Sequence, residues 1–250
     1  MSISRRHALQ ALGLAAGAGA AAAANLGSSP AAQAAEVGEG LRQALEACTP
    51  AGDGLEALLQ RNAVFSRAWR RSLKAATPQE RMRIQQSIFD ASCQVNPEAL
   101  AQGQRPWAAL LSCADARVAP EWMFGLGSGE LFQVRVAGNS AFNDGIASLE
   151  YAVAVLEVPL IVVIGHSGCG AVKAAMASDP LTPLLEDLVT PIRASLQPGD
   201  SLSQAVKGNA RYAAGQLTKL SPTLADAKAA GKLRIEPTYF DIETGVVSRV

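Results

Sequence analysis

The sequence predicts an α/β fold around a central, mainly parallel sheet. Three observations carry that prediction. From residue 106 onward, short apolar runs of strand length alternate with helical patterns, and strands that alternate with helices form parallel sheets. The clearest run, Leu160-Ile161-Val162-Val163-Ile164, has no polar member, as a strand covered on both faces requires. Two runs end directly in chemistry-bearing segments, Cys113-Ala-Asp115-Ala-Arg117 and Gly165-His166-Ser-Gly-Cys169, and in open parallel sheets ligands gather outside the carboxyl ends of the strands.

The elements follow in order. Ser4-Arg5-Arg6, an uncharged Ala/Gly/Leu run over residues 8–24 and the small-residue site Ala32-Gln33-Ala34 have the arrangement of a cleavable export signal of the twin-arginine type. Residues 1–34 are therefore read as an address. The run nearly reaches the roughly 20 apolar residues of a membrane span, and its plainer reading is an uncleaved anchor. Ala and Gly contribute little transfer energy, however, and a small-residue site follows, so cleavage is favoured and no stable span is expected after it. The expected location is an exported compartment: the periplasm, or the thylakoid lumen of a photosynthetic source.

Residues 36–48 read as a short helix and residues 49–54, with Pro50, Gly52 and Gly54, as a loop. Over residues 55–76, Leu55, Leu58, Leu59 and Phe65 form an apolar face, and Arg67, Arg70, Arg71 and Lys74 cluster toward the end. That is a helix whose basic terminus complements its dipole, a solvated face rather than a polyanion site. Thr77-Pro78-Gln79-Glu80 combines an N-cap, a first-position proline and an acid three residues after the cap, predicting a helix over 78–90. Residues 35–98 thus form a helical arm and residues 99–250 the α/β core. Within the core, strands are predicted at 107–112, 131–136 and 160–164, with a helical turn from Ala119, a glycine-rich loop at 125–129 and a helix over 146–156.

Composition narrows the chemistry. A formal net charge of +0 gives no bulk attraction to nucleic acid. The chain has four cysteines and two histidines, and His7 lies in the address, leaving His166 as the mature chain's imidazole. If extended geometry persists past residue 112, the side chains of Cys113, Asp115 and Arg117 share one face. Cys113, His166 and Cys169 then form a Cys2His set at two strand ends, suited to tetrahedral zinc with one position left for water or a carboxylate. Asp115 either takes that position, closing the metal, or pairs with Arg117. Singly, each feature has a plainer reading: a strand-end cysteine as a small buried hydrophobe, Asp-x-Arg as a surface pair, the glycine turn as a phosphate cradle that lacks its lysine. Their joint occurrence at two matching strand ends favours the metal.

These motifs, with Gly129-Glu130-Leu131-Phe132, Arg135-Val-Ala137-Gly138-Asn139, Ser148-Leu-Glu-Tyr151 and Gly170-Ala-Val172, resemble the β-class carbonic anhydrases over nearly all of the mature chain. Ala116, where serine is commoner, and Val136, where asparagine is frequent, depart from the pattern. The resemblance implies a four-stranded parallel core, a C-terminal edge strand over about residues 239–250, and an N-terminal arm that embraces a second subunit in an obligate homodimer, or a tetramer or larger assembly. It implies zinc held by Cys113, His166 and Cys169, with Asp115 and Arg117 catalytic and Gln104, Phe132, Tyr151 and the backbone N–H of Gly170 at the substrate. The implied reaction is the reversible hydration of CO2 to bicarbonate and a proton, with zinc making hydroxide available near neutral pH. Enzymes on the same scaffold hydrolyse CS2 or carbonyl sulfide, which the motifs do not separate, and a non-catalytic zinc or bicarbonate binder would need neither Asp115 nor Arg117. Some members of the class are switched off by bicarbonate at a second site built with a tryptophan. Leu110 stands at that position, so an open metal with Asp115 paired to Arg117 is expected, although Arg135 matches that site's arginine. Cys48 and Cys93 remain, and are expected to pair after export.

Overall fold

The computed structural model describes residues 46–250 except 91, 94 and 96. The address at 1–34 and most of the helix expected at 36–48 lie outside the described residues. Five strands, β1 (Ala108–Ser112), β2 (Leu131–Arg135), β3 (Leu160–His166), β4 (Arg234–Asp241) and β5 (Val246–Arg249), join in the order β2-β1-β3-β4-β5. The first four are parallel and β5 runs antiparallel to β4, the four-stranded parallel core with an edge strand that the sequence implied. The terminal strand expected over 239–250 is corrected to two strands. β4 begins earlier, at Arg234, and the chain reverses through residues 242–245, where Asp241 Oδ1 accepts from the N–H of Glu243 at 2.9 Å and Gly245 takes φ 72°.

β1 and β3 are buried at every position, which explains their unbroken apolar sequence. Their alternate residues serve two cores. Leu110, Val162 and Ile164 pack with α1 (Gly54–Ser72) and α4 (Pro120–Phe124), whereas Leu111, Ile161 and Val163 pack with α5 (Asn143–Ala154), α8 (Leu202–Leu220) and α9 (Pro222–Ala229). α1 is capped by Asp53, whose carboxylate accepts from the N–H groups of Leu55 and Glu56. It lies on its own chain's sheet: Phe65 packs on Phe240, and the buried Asn62 donates to the carbonyls of Met123 and Gly245 and accepts from the N–H of Val247. α2 (Pro78–Gln86) starts at the expected cap, with Thr77 Oγ1 accepting from the N–H of Glu80. It runs into a 3-10 turn, Ser87–Phe89.

The short α3 (Pro97–Gln102) spans the arm–core boundary read at residue 98. Beyond residue 172 the sequence reading had assigned nothing before the last strand. The structure adds α7 (Pro183–Arg193), α8 with a capping box between Ser201 and Gln204, and α9, capped by Ser221. Ala205, Ala210, Ala213 and Ala214 are buried on α8, and these small residues let it approach the sheet so closely that a Cβ on Gly165 would meet Val206 Cγ1 at 2.9 Å. Cys48 and Cys93 form the expected disulfide, 45 residues apart in sequence. No helix among the described residues is long and apolar enough to cross a membrane.

Candidate metal centre

β1 has neighbours on both sides that follow it in sequence, β2 on one flank and β3 on the other. The connections leave it in opposite directions, which opens a crevice at the carboxyl ends of β1 and β3. Cys113 is the first residue after β1. His166 is the last residue of β3, which runs two residues further than expected. Cys169 is the N-cap of α6 (Gly170–Met176), reached through a turn in which Gly168 takes φ 68°. Ser167 fixes that turn to β4, its N–H donating to the Phe240 carbonyl and its hydroxyl accepting from the N–H of Ile242, both at 2.9 Å.

The three candidate ligands meet. Cys113, His166 and Cys169 are all buried, with one donor atom from each within 4.8 Å of the others and the two sulfurs 4.0 Å apart. His166 Nδ1 lies 3.0 Å from the Ser167 carbonyl, which can only accept, so Nδ1 carries the proton and Nε2 presents its lone pair. That Nε2 is buried with no hydrogen-bond partner. Cys113 Sγ accepts from the backbone N–H groups of Gly138 at 3.3 Å and Asp115 at 3.4 Å. Its pKa is drawn down, first by the hydrogen bond shared with the Cys169 thiol and then by those two N–H groups. Cys169 is pushed the other way, by the same bond and by burial. The two shifts oppose one another because the sulfurs share one hydrogen bond, whose proton a divalent cation would replace. Two sulfurs and an orphaned imidazole nitrogen are donors that fit zinc.

Asp115 stands beside this cluster. Its carboxylate accepts from Arg117 Nε at 2.9 Å, Arg117 Nη2 at 2.7 Å and the Arg117 backbone N–H at 2.9 Å. The Arg117 guanidinium holds it far below the usual carboxylate range, outweighing burial, and Asp115 in turn raises Arg117. Asp115 Oδ2 nevertheless lies 3.8 Å from His166 Nε2. The Asp115–Arg117 arrangement is the open alternative, with the carboxylate engaged by arginine.

The substrate set is divided. Gly170 opens α6 next to Cys169. Phe132 is in register with Ala109, four residues before Cys113 along the sheet, roughly 13 Å at the rise of a strand. Tyr151, 43% exposed, has its ring 6.2 Å from that of Phe132. Gln104 is exposed on the loop before β1, at the sheet's amino edge. One chain therefore brings Gly170 to the metal cluster but not Gln104, Phe132 or Tyr151.

The carbonic anhydrase family model matches residues 108–247, which contain the cluster and the Asp115–Arg117 pair. The chain belongs to the carbonic anhydrase family, in its β class. It is accordingly an enzyme of the lyase type, a carbonate dehydratase. A carbonic anhydrase of Mycolicibacterium smegmatis is 38% identical over 157 residues, 59% of this chain and 76% of that one. The β-carbonic anhydrase of Coccomyxa, solved with acetazolamide, superposes with TM-score 0.56 at 28% identity, covering 62% of this chain and 76% of the other. One of two tetrameric β-carbonic anhydrases of the ascomycete Sordaria macrospora gives TM-score 0.56 at 24% identity, over 61% and 84% of the two chains, a likeness of fold.

Sequence reasoning missed two contributors. Gly138 supplies an N–H to Cys113, while its carbonyl accepts from Asn209 Nδ2 at 2.7 Å. Its place in Ala137-Gly138-Asn139 was visible, but not its contact with sulfur. Arg135, matched to an anion site, instead donates to backbone. Nε and Nη2 reach the Cys113 carbonyl at 3.2 and 3.1 Å, and Nη2 also reaches the carbonyls of Asp115 at 3.0 Å and Val118 at 2.5 Å.

Proposed function

We propose that the chain catalyses the reversible hydration of CO2 to bicarbonate and a proton, using zinc held by Cys113, His166 and Cys169. The observation that carries this reading is the convergence of those three donors, one an orphaned nitrogen, beside a carboxylate clamped by Arg117. Zinc bound there would supply Lewis acidity, lowering the pKa of a water in its open position.

The protein's own groups do the rest. A carboxylate held far below its usual pKa stays ionised at neutral pH, so Asp115 serves as a permanent hydrogen-bond acceptor rather than as a base that takes the proton outright. Arg117 fixes its plane, with Nη2 bound to Oδ2 itself, so it is the second lone pair of Oδ2, on the side of His166, that would orient a hydroxyl toward the substrate carbon. The N–H of Gly170, next to Cys169 at the start of α6, would meet an oxygen of the product. His166 is buried, and it is the only histidine among the described residues, so proton export depends on solvent and buffer rather than on an imidazole relay.

CO2 is apolar and needs an apolar wall, and the separation of Phe132, Tyr151 and Gln104 from the cluster supports a homodimer in which a second copy supplies it, alone or within a tetramer. The Cys48–Cys93 disulfide suits an exported protein in the periplasm or a thylakoid lumen. Stopped-flow hydration of CO2 by the zinc-loaded chain, with Asp115→Asn beside it, tests the reading. The variant should keep its zinc and lose roughly 100-fold or more in rate, the scale of a lost acid–base partner. Hydration at the uncatalysed rate by the wild type, or undiminished activity in Asp115→Asn, overturns it. Turnover of CS2 or carbonyl sulfide in preference to CO2 would move the substrate to those gases.

A further inference from the structure

We propose that Arg135 is a positioning residue that holds the sulfur ligand Cys113 and the Asp115–Arg117 pair at a fixed offset from one another. The proposal rests on the site being the catalytic centre described above.

Residues 113–118 leave the sheet after β1 and form no helix or strand. Within them, the carbonyls of Cys113, Asp115 and Val118 converge on one edge of the Arg135 guanidinium, at 2.5 to 3.2 Å. Three carbonyl dipoles aimed at one point repel one another, and a cation at that point reverses the sign of the interaction. Arg135 is well placed to be that cation. It ends β2, in register with Ser112, and the following residue, Val136, donates to the Ser112 carbonyl at 3.1 Å and accepts from the N–H of Ala114 at 3.2 Å. Its backbone is thus fixed to the sheet at the level of the segment it grips.

Asp115 needs this second tether. Its carboxylate bonds run to Arg117, only two residues away, so they fix the acid to the arginine and not to the metal ligands. The pair's own links to the cluster's second segment are long, Arg117 Nη2 to the Gly168 carbonyl at 3.4 Å and Asp115 Oδ2 to His166 Nε2 at 3.8 Å. Beside the long contact from the Asp115 N–H to Cys113 Sγ at 3.4 Å, Arg135 grips the carbonyls of both the ligand residue and the acceptor residue, so one rigid planar group reinforces the offset between them. Lysine, a point donor on a flexible stem, would not reproduce this grip. The same bonds take up the Nε–Nη2 edge, the edge a bicarbonate would need for a paired contact, so Arg135 is committed to backbone, in keeping with the weak anion site expected from Leu110.

The test uses the full mature chain with Arg135→Ala and Arg135→Lys, each loaded with Co(II) to report the metal environment and with zinc for turnover. Both variants should bind one metal per chain. Their cobalt absorption bands should shift and broaden, and kcat per bound metal should fall roughly 10- to 100-fold with KM changed less than threefold, the scale expected when a reacting group is displaced by about 1 Å. Guanidinium added to Arg135→Ala should recover part of the lost kcat. A wild-type cobalt spectrum in either variant, or a kcat per metal within twofold of wild type, overturns the proposal. If the wild type itself fails to hydrate CO2, the functional reading falls, and the cobalt spectra alone decide whether Arg135 sets the ligand segment.

Discussion

Gly138→Ala tests how tightly the metal segment is built. Gly138 has φ 77° and sits where an added Cβ would lie 2.5 Å from Ile192 Cδ1 and 3.0 Å from Ala171 Cβ. The left-handed backbone alone costs an L-residue about 1–2 kcal/mol. Ile192 is fully buried in the cluster that holds Cys169 and Val172, so the methyl must be accommodated by moving packed side chains, at about 1–3 kcal/mol. The sum is roughly 2–5 kcal/mol, which for a domain of this size lowers Tm by on the order of 10 °C. Any backbone shift that relieves the clash also pulls the Gly138 N–H from Cys113 Sγ and its carbonyl from Asn209, so zinc affinity should fall with stability. Urea unfolding of the zinc-loaded protein measures the first and competition with a chelator the second. Gly170→Ala is the control, since nothing lies within 4 Å of a Cβ there. A Gly138→Ala protein within 1 kcal/mol of that control would refute the reasoning.

Three further outcomes are expected. Cys113→Ser, His166→Ala and Cys169→Ser should each lose most of their zinc and essentially all activity, and full metal content in any of them, by elemental analysis, removes that residue from the ligand set. Replacing both Cys48 and Cys93 by serine should cost about 4 kcal/mol in chemical denaturation, the chain-entropy value for a loop of 45 residues, and an unchanged midpoint would show that the crosslink constrains nothing. Asp115 is held low by Arg117, so its contribution is fully present above the ordinary carboxylate pKa of roughly 4 and is lost as pH falls toward the folded value. In metal-free protein the stability difference between wild type and Asp115→Asn should be flat from pH 8 to 5 and shrink below about pH 4. A difference that grows on acidification contradicts the pairing.

The parts of this fold that announce themselves in sequence are those where one residue type answers one local demand. Residues 160–164 read as a buried strand because both faces are covered, and Thr77-Pro78 as a helix start because the cap satisfies orphan N–H groups within the same turn. The ligands were legible because a cysteine and a His-x-x-Cys at strand ends have few other uses together. Arg135 could be read only as a charge. What it holds is the direction of three carbonyls, a property of the path of residues 113–118 that no residue type encodes. Gly138 is required by Ile192, 54 residues downstream, on a helix the sequence reading passed over. α7 and α8 both carry an apolar period, Leu185, Leu188, Val189 and Ile192 in the one and Val206, Ala210, Ala213 and Leu217 in the other, although Pro191 interrupts the first and alanine and glycine dilute the second. Their caps, Thr182-Pro183 and Ser201 with Gln204, were a further signal.

The two kinds of cysteine in this chain ask for opposite treatment. Cys48 and Cys93 are joined by oxidation, whereas Cys113 and Cys169 stand 4.0 Å apart with 4% and 0% exposure, close enough for an unwanted second crosslink to compete with metal. A bound metal is then a protecting group in the synthetic chemist's sense, and the order of operations matters: fold and load first, oxidise afterwards. Four thiols allow three two-bridge pairings, and burial with a metal cap excludes all three, leaving Cys48–Cys93 as the single bridge an oxidant can close. A route that moves the chain already folded preserves that order, and one that threads it unfolded into an oxidising space would present four equivalent thiols at once.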